Sequence, residues 1–238
     1  MAEASRSAPP PGGRRRGVLF DVDGTLIDSS YIHTISWWGA FRQFGYDIPM
    51  ASIHHFVGMG GDRLVDSLLP PGRDKAEDKE VMASHGALYA SHWPGLRAFD
   101  GARELLAACH DAGLAVALAS SARKKDLQVM KSILDSEVSI DGATSANDAE
   151  ESKPAPDILV AALEAIGVDA GDAVFVGDAV WDMMAAAALG IPAVGVTCGG
   201  VSAAELRDAG AVEVYEGPRD LLQNLASSAV GKLLQPAG

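Results

Sequence analysis

The sequence predicts an α/β fold: a doubly wound parallel sheet carrying a helical insertion after its first strand. Three observations predict it. Short apolar runs alternate with longer helical ones from Val18 onward, the pattern of parallel βαβ units. One stretch, residues 31–97, breaks that alternation and contains helical segments with no convincing strand. Polar residues gather where the predicted strands end, the edge at which open α/β sheets bind ligands.

Taken in order, Gly17–Phe20 reads as a buried strand running straight into Asp21. Ala102–Asp111 has helical spacing and stops at Gly113, and Leu114–Ala119 is the second strand. Helices over Arg123–Leu134 and Pro156–Ile166 precede a third strand at Ala173–Val176. A helix over Trp181–Leu189, a strand at Ala193–Val196, a last strand at Val212–Tyr215 and a helix near Pro218–Leu225 complete the core. In the insertion, Ile32–Phe44, Arg63–Leu69 and Lys75–His92 read as helices, punctuated by Pro49, Pro70-Pro71 and Pro94. Trp37-Trp38 are read as packing residues of the insertion, and His54-His55 as polar loop residues without a third metal ligand. The expected division is a disordered tail at 1–16, a core of 17–30 and 98–238, and the insertion at 31–97.

Composition narrows the function. The 238 residues carry a formal net charge of −13, which argues against a nucleic-acid grip, since duplex binding needs clustered Lys and Arg. It also means that an anionic substrate has to be attracted locally, by a metal ion or specific cations. No apolar run approaches the roughly 18 residues of a membrane span. The first 16 residues, with Pro9-Pro10-Pro11 and Arg14-Arg15-Arg16, lack the apolar stretch of a secretory signal. Cys109 and Cys198 stand far apart without C-x-x-C spacing, so the expectation is two reduced thiols in a cytoplasmic protein and no zinc site. No feature assigns an oligomeric state.

The chemistry-bearing residues sit at four places. They are Asp21-Val22-Asp23-Gly24-Thr25 after strand one, Ser120-Ser121 after strand two, Ser152-Lys153-Pro154 before the Pro156 helix, and Gly177-Asp178 with Asp182 after strand three. Several carboxylates converging on one edge are costly unless a cation neutralises them. A hard divalent cation with oxygen ligands, Mg2+ above all, resolves that cost.

In this order, the four segments resemble the four motifs of the haloacid dehalogenase superfamily of phosphohydrolases, D-x-D-G-T among them, over residues 17 to 225. The resemblance implies that Asp21 attacks phosphorus to give an aspartyl-phosphate. Asp23 would protonate the leaving oxygen, later take a proton from water, and ligate the metal through its backbone carbonyl. Ser120, with Ser121 beside it, and Lys153 would hold the phosphoryl oxygens, with Thr25 in support. Asp178 would bind Mg2+ directly, and Asp182 would act through a metal-bound water or by orienting Lys153. Ser120 and Ser121 are also candidate N-caps for the Arg123 helix.

The insertion, lying between the first and second motifs, resembles the cap of the C1 subgroup, which closes over the site and reads the rest of the substrate. Gly24–Ser29 and Trp93–Gly95 are its expected hinges. His33 matches a histidine of the β-phosphoglucomutase and phosphoglycolate phosphatase-like branch that lies near the acid/base aspartate. Gly58 opens a segment resembling the cap's substrate-reading loop, where Gly61, not Arg63, falls on the branch's phosphate-binding arginine. Arg123 is a further candidate for touching a distal anion.

The expected activity is hydrolysis of a small phosphorylated metabolite. A sugar-phosphate mutase is the alternative, and that branch carries a Glu-Asp pair without the later aspartate. A dehalogenase would lack an aspartate at position 23, and a non-catalytic module would be expected to have lost one of Asp21, Asp23, Lys153 or Asp178.

Overall fold

The computed structural model describes residues 14–235. Six parallel strands form one sheet: β1 (Gly17–Phe20), β2 (Ala115–Ala119), β3 (Gly142–Thr144), β4 (Ala173–Gly177), β5 (Ala193–Val196) and β6 (Ala211–Tyr215). Their order is β3-β2-β1-β4-β5-β6. Connections leave β1 toward both sides, so the strand order reverses there and opens a crevice at its carboxyl end.

Both faces of the sheet are covered, and the strand period of two divides the core accordingly. Val18, Phe20, Val116, Leu118, Val174 and Val176 pack on one face with Leu105 and Leu106 of α5 (Ala102–Asp111). The same face takes Leu127 and Met130 of α6 (Lys124–Leu134), Leu221 of α10 (Pro218–Gln223) and Val230 of α11 (Ala229–Lys232). Leu19, Ala117, Ala119 and Phe175 face the other way. They meet α7 (Asp157–Ile166), α8 (Val180–Ala188) and α9 (Ala203–Asp208) through residues such as Leu159, Met183 and Leu206.

Between β1 and β2 lie α1 (Ser30–Gln43), α2 (Met50–Phe56), α3 (Gly61–Leu68) and α4 (Asp78–Ser91). They enclose a hydrophobic cluster of their own, built on Trp37, Phe41, Ile53, Leu64, Val65 and Val81. The two chain segments leaving and re-entering the sheet layer pair antiparallel at Ile27 and Ala98. The Asp28 amide donates to the Arg97 carbonyl, and the Phe99 amide to Leu26, each at 2.9 Å.

Several elements differ from the sequence expectation. Strand β3 is absent from it, because three residues at a sheet edge carry too little apolar signal. Gly142 is required there, since a Cβ would lie 2.9 Å from Ile166 Cγ2. His54 and His55 are not in a loop: Pro49 starts α2, which runs through both. His54 Nε2 lies 3.1 Å from the Gly199 carbonyl oxygen and its ring stacks on Tyr31. The helices α9 and α11 are additional short elements, and α4 begins at Asp78, after a turn, rather than at Lys75. Neither Ser120 nor Ser121 caps α6; Arg123 occupies the N-cap without a side-chain bond. Of the tail expected at 1–16, residues 1–13 lie outside the described residues. Arg14 to Arg16 are placed against the core: the Arg16 carbonyl accepts from the Ala115 amide, and the Arg15 guanidinium donates to the Ile166 carbonyl.

Because the helical insertion buries a cluster separate from the sheet's, damage there should stay local. Phe41→Ala removes a fully buried ring from that cluster and is expected to cost about 3–5 kcal/mol. Limited proteolysis should then cut first between residues 30 and 97; uniform cleavage along the chain would contradict two separate cores.

Candidate active site

Strand register sets the site. Phe20 is aligned with Leu118 of β2 and Val176 of β4, so Asp21, Ser120 and Asp178 leave the sheet at nearly one level. The Asp21 amide still donates to the Val176 carbonyl at 2.9 Å, which fixes the first residue of the turn. The chain then folds back tightly. Gly24 has φ +81°, and the Leu26 and Ile27 amides both donate to the Val22 carbonyl. A Cβ at Gly24 would lie 2.3 Å from Asp178 Oδ2, and one at Gly199 would lie 1.6 Å from it. The Asp178 carboxylate thus occupies a notch that only backbone can line.

Lys153 organises the carboxylates. Its side chain is fully buried, and Nζ lies 2.6 Å from Asp21 Oδ1 and 2.8 Å from Asp182 Oδ1 while donating to the Ala119 carbonyl at 3.1 Å. The second Asp182 oxygen accepts the Ala179 amide at 3.1 Å, so both of its oxygens are engaged. Thr25 donates to Asp178 Oδ1 at 3.0 Å and lies 3.4 Å from Asp21 Oδ2.

Asp21, Asp178 and Asp182 bring carboxylate oxygens within 4.8 Å of one another. One ammonium cannot balance three such charges. Burial pushes the Asp21 carboxyl up to about 7 against the pull of Lys153, with Asp182 and Asp23 adding to the rise. Burial likewise holds Asp178 well above the usual range, helped by Asp21 and Asp182. Lys153 is held above its ordinary value because Asp182 and Asp21 outweigh the cost of burying its charge. A hard divalent cation suits this surplus of buried oxygen donors. Asp21, Asp178 and Asp182 are the carboxylates that could hold one. The nearby Cys198 is no competitor: burial, then the charge of Asp178, pushes its thiol up, and the S–H donates to the Gly24 carbonyl.

Asp23 belongs to a different set of partners. Ser29 Oγ (2.6 Å), His33 Nε2 (3.0 Å) and the Tyr89 hydroxyl (3.3 Å) all gather on its Oδ1. Burial pushes this carboxyl up, but His33 and the three hydrogen bonds outweigh it and hold Asp23 below the ordinary range. His33 Nδ1 lies 3.2 Å from His85 Nε2. The His85 ring stacks on Trp37 with centroids 3.8 Å apart, and burial, then His33 and Arg123, keeps it neutral. Sequence reasoning singled out His33 and missed Ser29, His85 and Tyr89. A signal was present: His33/Trp37 and His85/Tyr89 are each i, i+4 pairs, one on α1 and one on α4.

A cavity of about 230 Å³ lies over Asp21 and Asp23, between the sheet edge and the helical insertion. Gly58, Ser121 and Arg123 line it. Ser120 is fully buried, with its hydroxyl accepting the Ala122 amide at 3.1 Å. Gly58 has φ +96°, and a Cβ there would come 2.6 Å from that of Ala179, which seats the insertion's loop on the core. Arg123 donates from Nε to Asp126 at 2.6 Å and from Nη2 to the Gly86 carbonyl at 3.3 Å, and Arg63 pairs with Glu151.

Residues 16–190 match the haloacid dehalogenase-like hydrolase family. The chain belongs to that family. A solved structure of a hydrolase from Pseudomonas syringae resembles this hydrolase with a TM-score of 0.86 and 31% identity, covering 90% of this chain and 100% of that one. The phosphoglycolate phosphatase of Neisseria meningitidis is 30% identical over 193 residues, 77% of this chain and 81% of its own. The chloroplastic protein SUPPRESSOR OF QUENCHING 1 of Arabidopsis thaliana is 30% identical over 213 residues, 87% of this chain, which spans only 20% of that protein. Among the described residues of this hydrolase, no helix is long and apolar enough to cross a membrane.

The Lys153 arrangement is open to a direct test. Lys153→Met leaves the buried carboxylates without their ammonium and is expected to cost about 3–5 kcal/mol in urea denaturation of ion-free protein. A cost below about 1 kcal/mol, the size of an exposed pair, would show that these ion pairs do not form in solution.

Proposed function

We propose that this hydrolase is a Mg2+-dependent phosphatase that cleaves a small phosphomonoester through an aspartyl-phosphate on Asp21. The observation that carries the reading is the placement of two aspartates under one cavity in opposite electrostatic surroundings. Asp21 is gripped by Lys153 among other acids. Asp23 is bound to a histidine, a tyrosine and a serine. Asp21, beside Lys153, takes the nucleophile's place, and Asp23, hydrogen-bonded to a histidine that can relay a proton, takes the proton carrier's. The phosphatase names among the relatives support the same reaction class.

In this reading an Asp21 oxygen forms a bond to phosphorus as the bond to the leaving oxygen breaks. Asp23 hands that oxygen a proton held between its carboxylate and His33, 3.0 Å away. A water then attacks the phosphoryl group, Asp23 takes its proton, and phosphate departs with Asp21 restored. Lys153 neutralises charge on the phosphoryl oxygens and is itself aimed by Asp182. Ser121 lines the cavity, and Ser120, buried beside it, would donate its hydroxyl hydrogen to a phosphoryl oxygen. Asp21, Asp178 and the backbone carbonyl of Asp23 would hold Mg2+, which would supply positive charge to the phosphoryl group. The helical insertion acts as a cap that keeps bulk water out. The cytoplasm is the proposed compartment.

A screen of phosphomonoesters with Mg2+, followed by phosphate release, tests this. Asp21→Asn is expected to lose at least about 10³-fold in kcat/KM; near-native turnover in that variant would refute the mechanism.

The buried acids make a second prediction. A carboxyl with a higher pKa in the folded state than its unfolded 3.8 favours folding at low pH, and that contribution is lost as pH rises through about 7. In chelator-treated protein Tm should therefore fall between pH 5 and pH 8, and added Mg2+ should raise Tm more at pH 8 than at pH 5. Equal Mg2+ effects at the two pH values would count against Asp21 as a ligand.

A further inference from the structure

The cavity over Asp21 and Asp23 has a wall that phosphate chemistry does not use. On the side of the helical insertion it is built from Trp37, Val57, Met59, Leu64 and Met82. Apart from the two aspartates, the charged groups among the described lining residues are Asp62, Arg123 and Asp126. Arg123, the one cation of that set, is already bound to Asp126 and to the Gly86 carbonyl. Its guanidinium lies so close over Gly86 that a Cβ there would come within 1.8 Å of Nη1. Turning it toward a ligand would strand Asp126, which is 3% exposed, without its cation. Asp62 accepts the Ser152 hydroxyl at 2.7 Å and stays an acceptor. The histidines offer no free cation either: His85 is neutral, and His33 is engaged by Asp23 and His85 through both ring nitrogens.

A second anion on the substrate would therefore meet, among the described lining residues, one cation already paired with Asp126, while the other charged side chains there are carboxylates and the insertion's wall is hydrocarbon. Nor can the glycine loop accommodate one by substitution of contacts, since the space beside Gly61 is filled by the Trp37 ring, 3.1 Å from where a Cβ would stand. Size adds a second constraint. A cavity of about 150 Å³ holds a benzene molecule, so about 230 Å³ takes a ring of that size together with the phosphoryl group.

We propose that the alcohol released by this enzyme is uncharged, apolar and about the size of a single ring, and that substrates with a second anionic group are disfavoured. The proposal rests on the phosphatase reading above and names its substrate class.

Three substrates tested with Mg2+ separate the two readings: benzyl phosphate, 2-phosphoglycolate and p-nitrophenyl phosphate. The first two are both esters of primary alcohols, so their comparison reads the wall more than the leaving group. Benzyl phosphate is expected to exceed 2-phosphoglycolate in kcat/KM by about 10-fold or more, the scale of burying one apolar group. Equal values, or a preference for 2-phosphoglycolate, would overturn the proposal while leaving the phosphatase standing. Phosphate release from none of the three would overturn the phosphatase reading, and this proposal with it. Met82→Lys places a cation on the apolar wall. It should lower the ratio of benzyl phosphate to 2-phosphoglycolate by about 10-fold, and an unchanged ratio would show that the wall does not touch the substrate.

Discussion

The ammonium of Lys153 is the interaction on which the rest of the site depends. Among the described residues it is the one cation in direct contact with the Asp21 and Asp182 carboxylates, and like them it is buried. Each partner comes from a different part of the chain: Asp21 from the end of β1, Asp182 from the first turn of α8, the Ala119 carbonyl from β2. Its placement joins three loops that would otherwise repel or drift. Asp182 is held in turn by the Ala179 amide, so the lysine is aimed by a carboxylate that has little freedom of its own. The charge left over is negative, and it is the surplus that makes a divalent cation chemically appropriate here.

The sheet explains why those loops meet. A parallel strand delivers its following residue to the same edge as its neighbours, and the register of β2, β1 and β4 brings a serine and two aspartates to nearly one height. Hydrophobic burial on both faces fixes that register without any contribution from the site itself. The polar cluster can then carry unfavourable charge that a less firmly packed scaffold would not tolerate.

Much of this was legible in the residues. Strands β1, β2, β4 and β5 are apolar runs ending in polar residues, and helix α5 has a clean period and a glycine stop, so both kinds of element announced themselves. The grouping of Asp21, Lys153, Asp178 and Asp182 followed from their positions at strand and helix ends. What was not legible depended on tertiary contact. Gly142–Thr144 is a strand only because β2 offers it an edge, and His54-His55 are helical because Pro49 starts a turn that packing completes. The surroundings of Asp23 were half visible. His33 stood out, while His85 and Tyr89 looked like ordinary members of a helix until α1 and α4 were seen side by side. Arg123 stood out as a candidate for a distal anion, whereas its contact with the Gly86 carbonyl leaves no trace in sequence.

The hydrogen bonds to Asp23 span two bodies with separate cores. The carboxylate stands on the turn after β1, whereas its histidine and tyrosine partners are carried by the helical insertion, tied to the sheet layer through the Ile27–Ala98 pairing. Lifting the insertion would strip both aromatic partners from one oxygen in a single motion. Under the proposed reaction, Asp23 would have its full set of partners only with the insertion seated on the sheet edge, so proton transfer to and from it would belong to that arrangement.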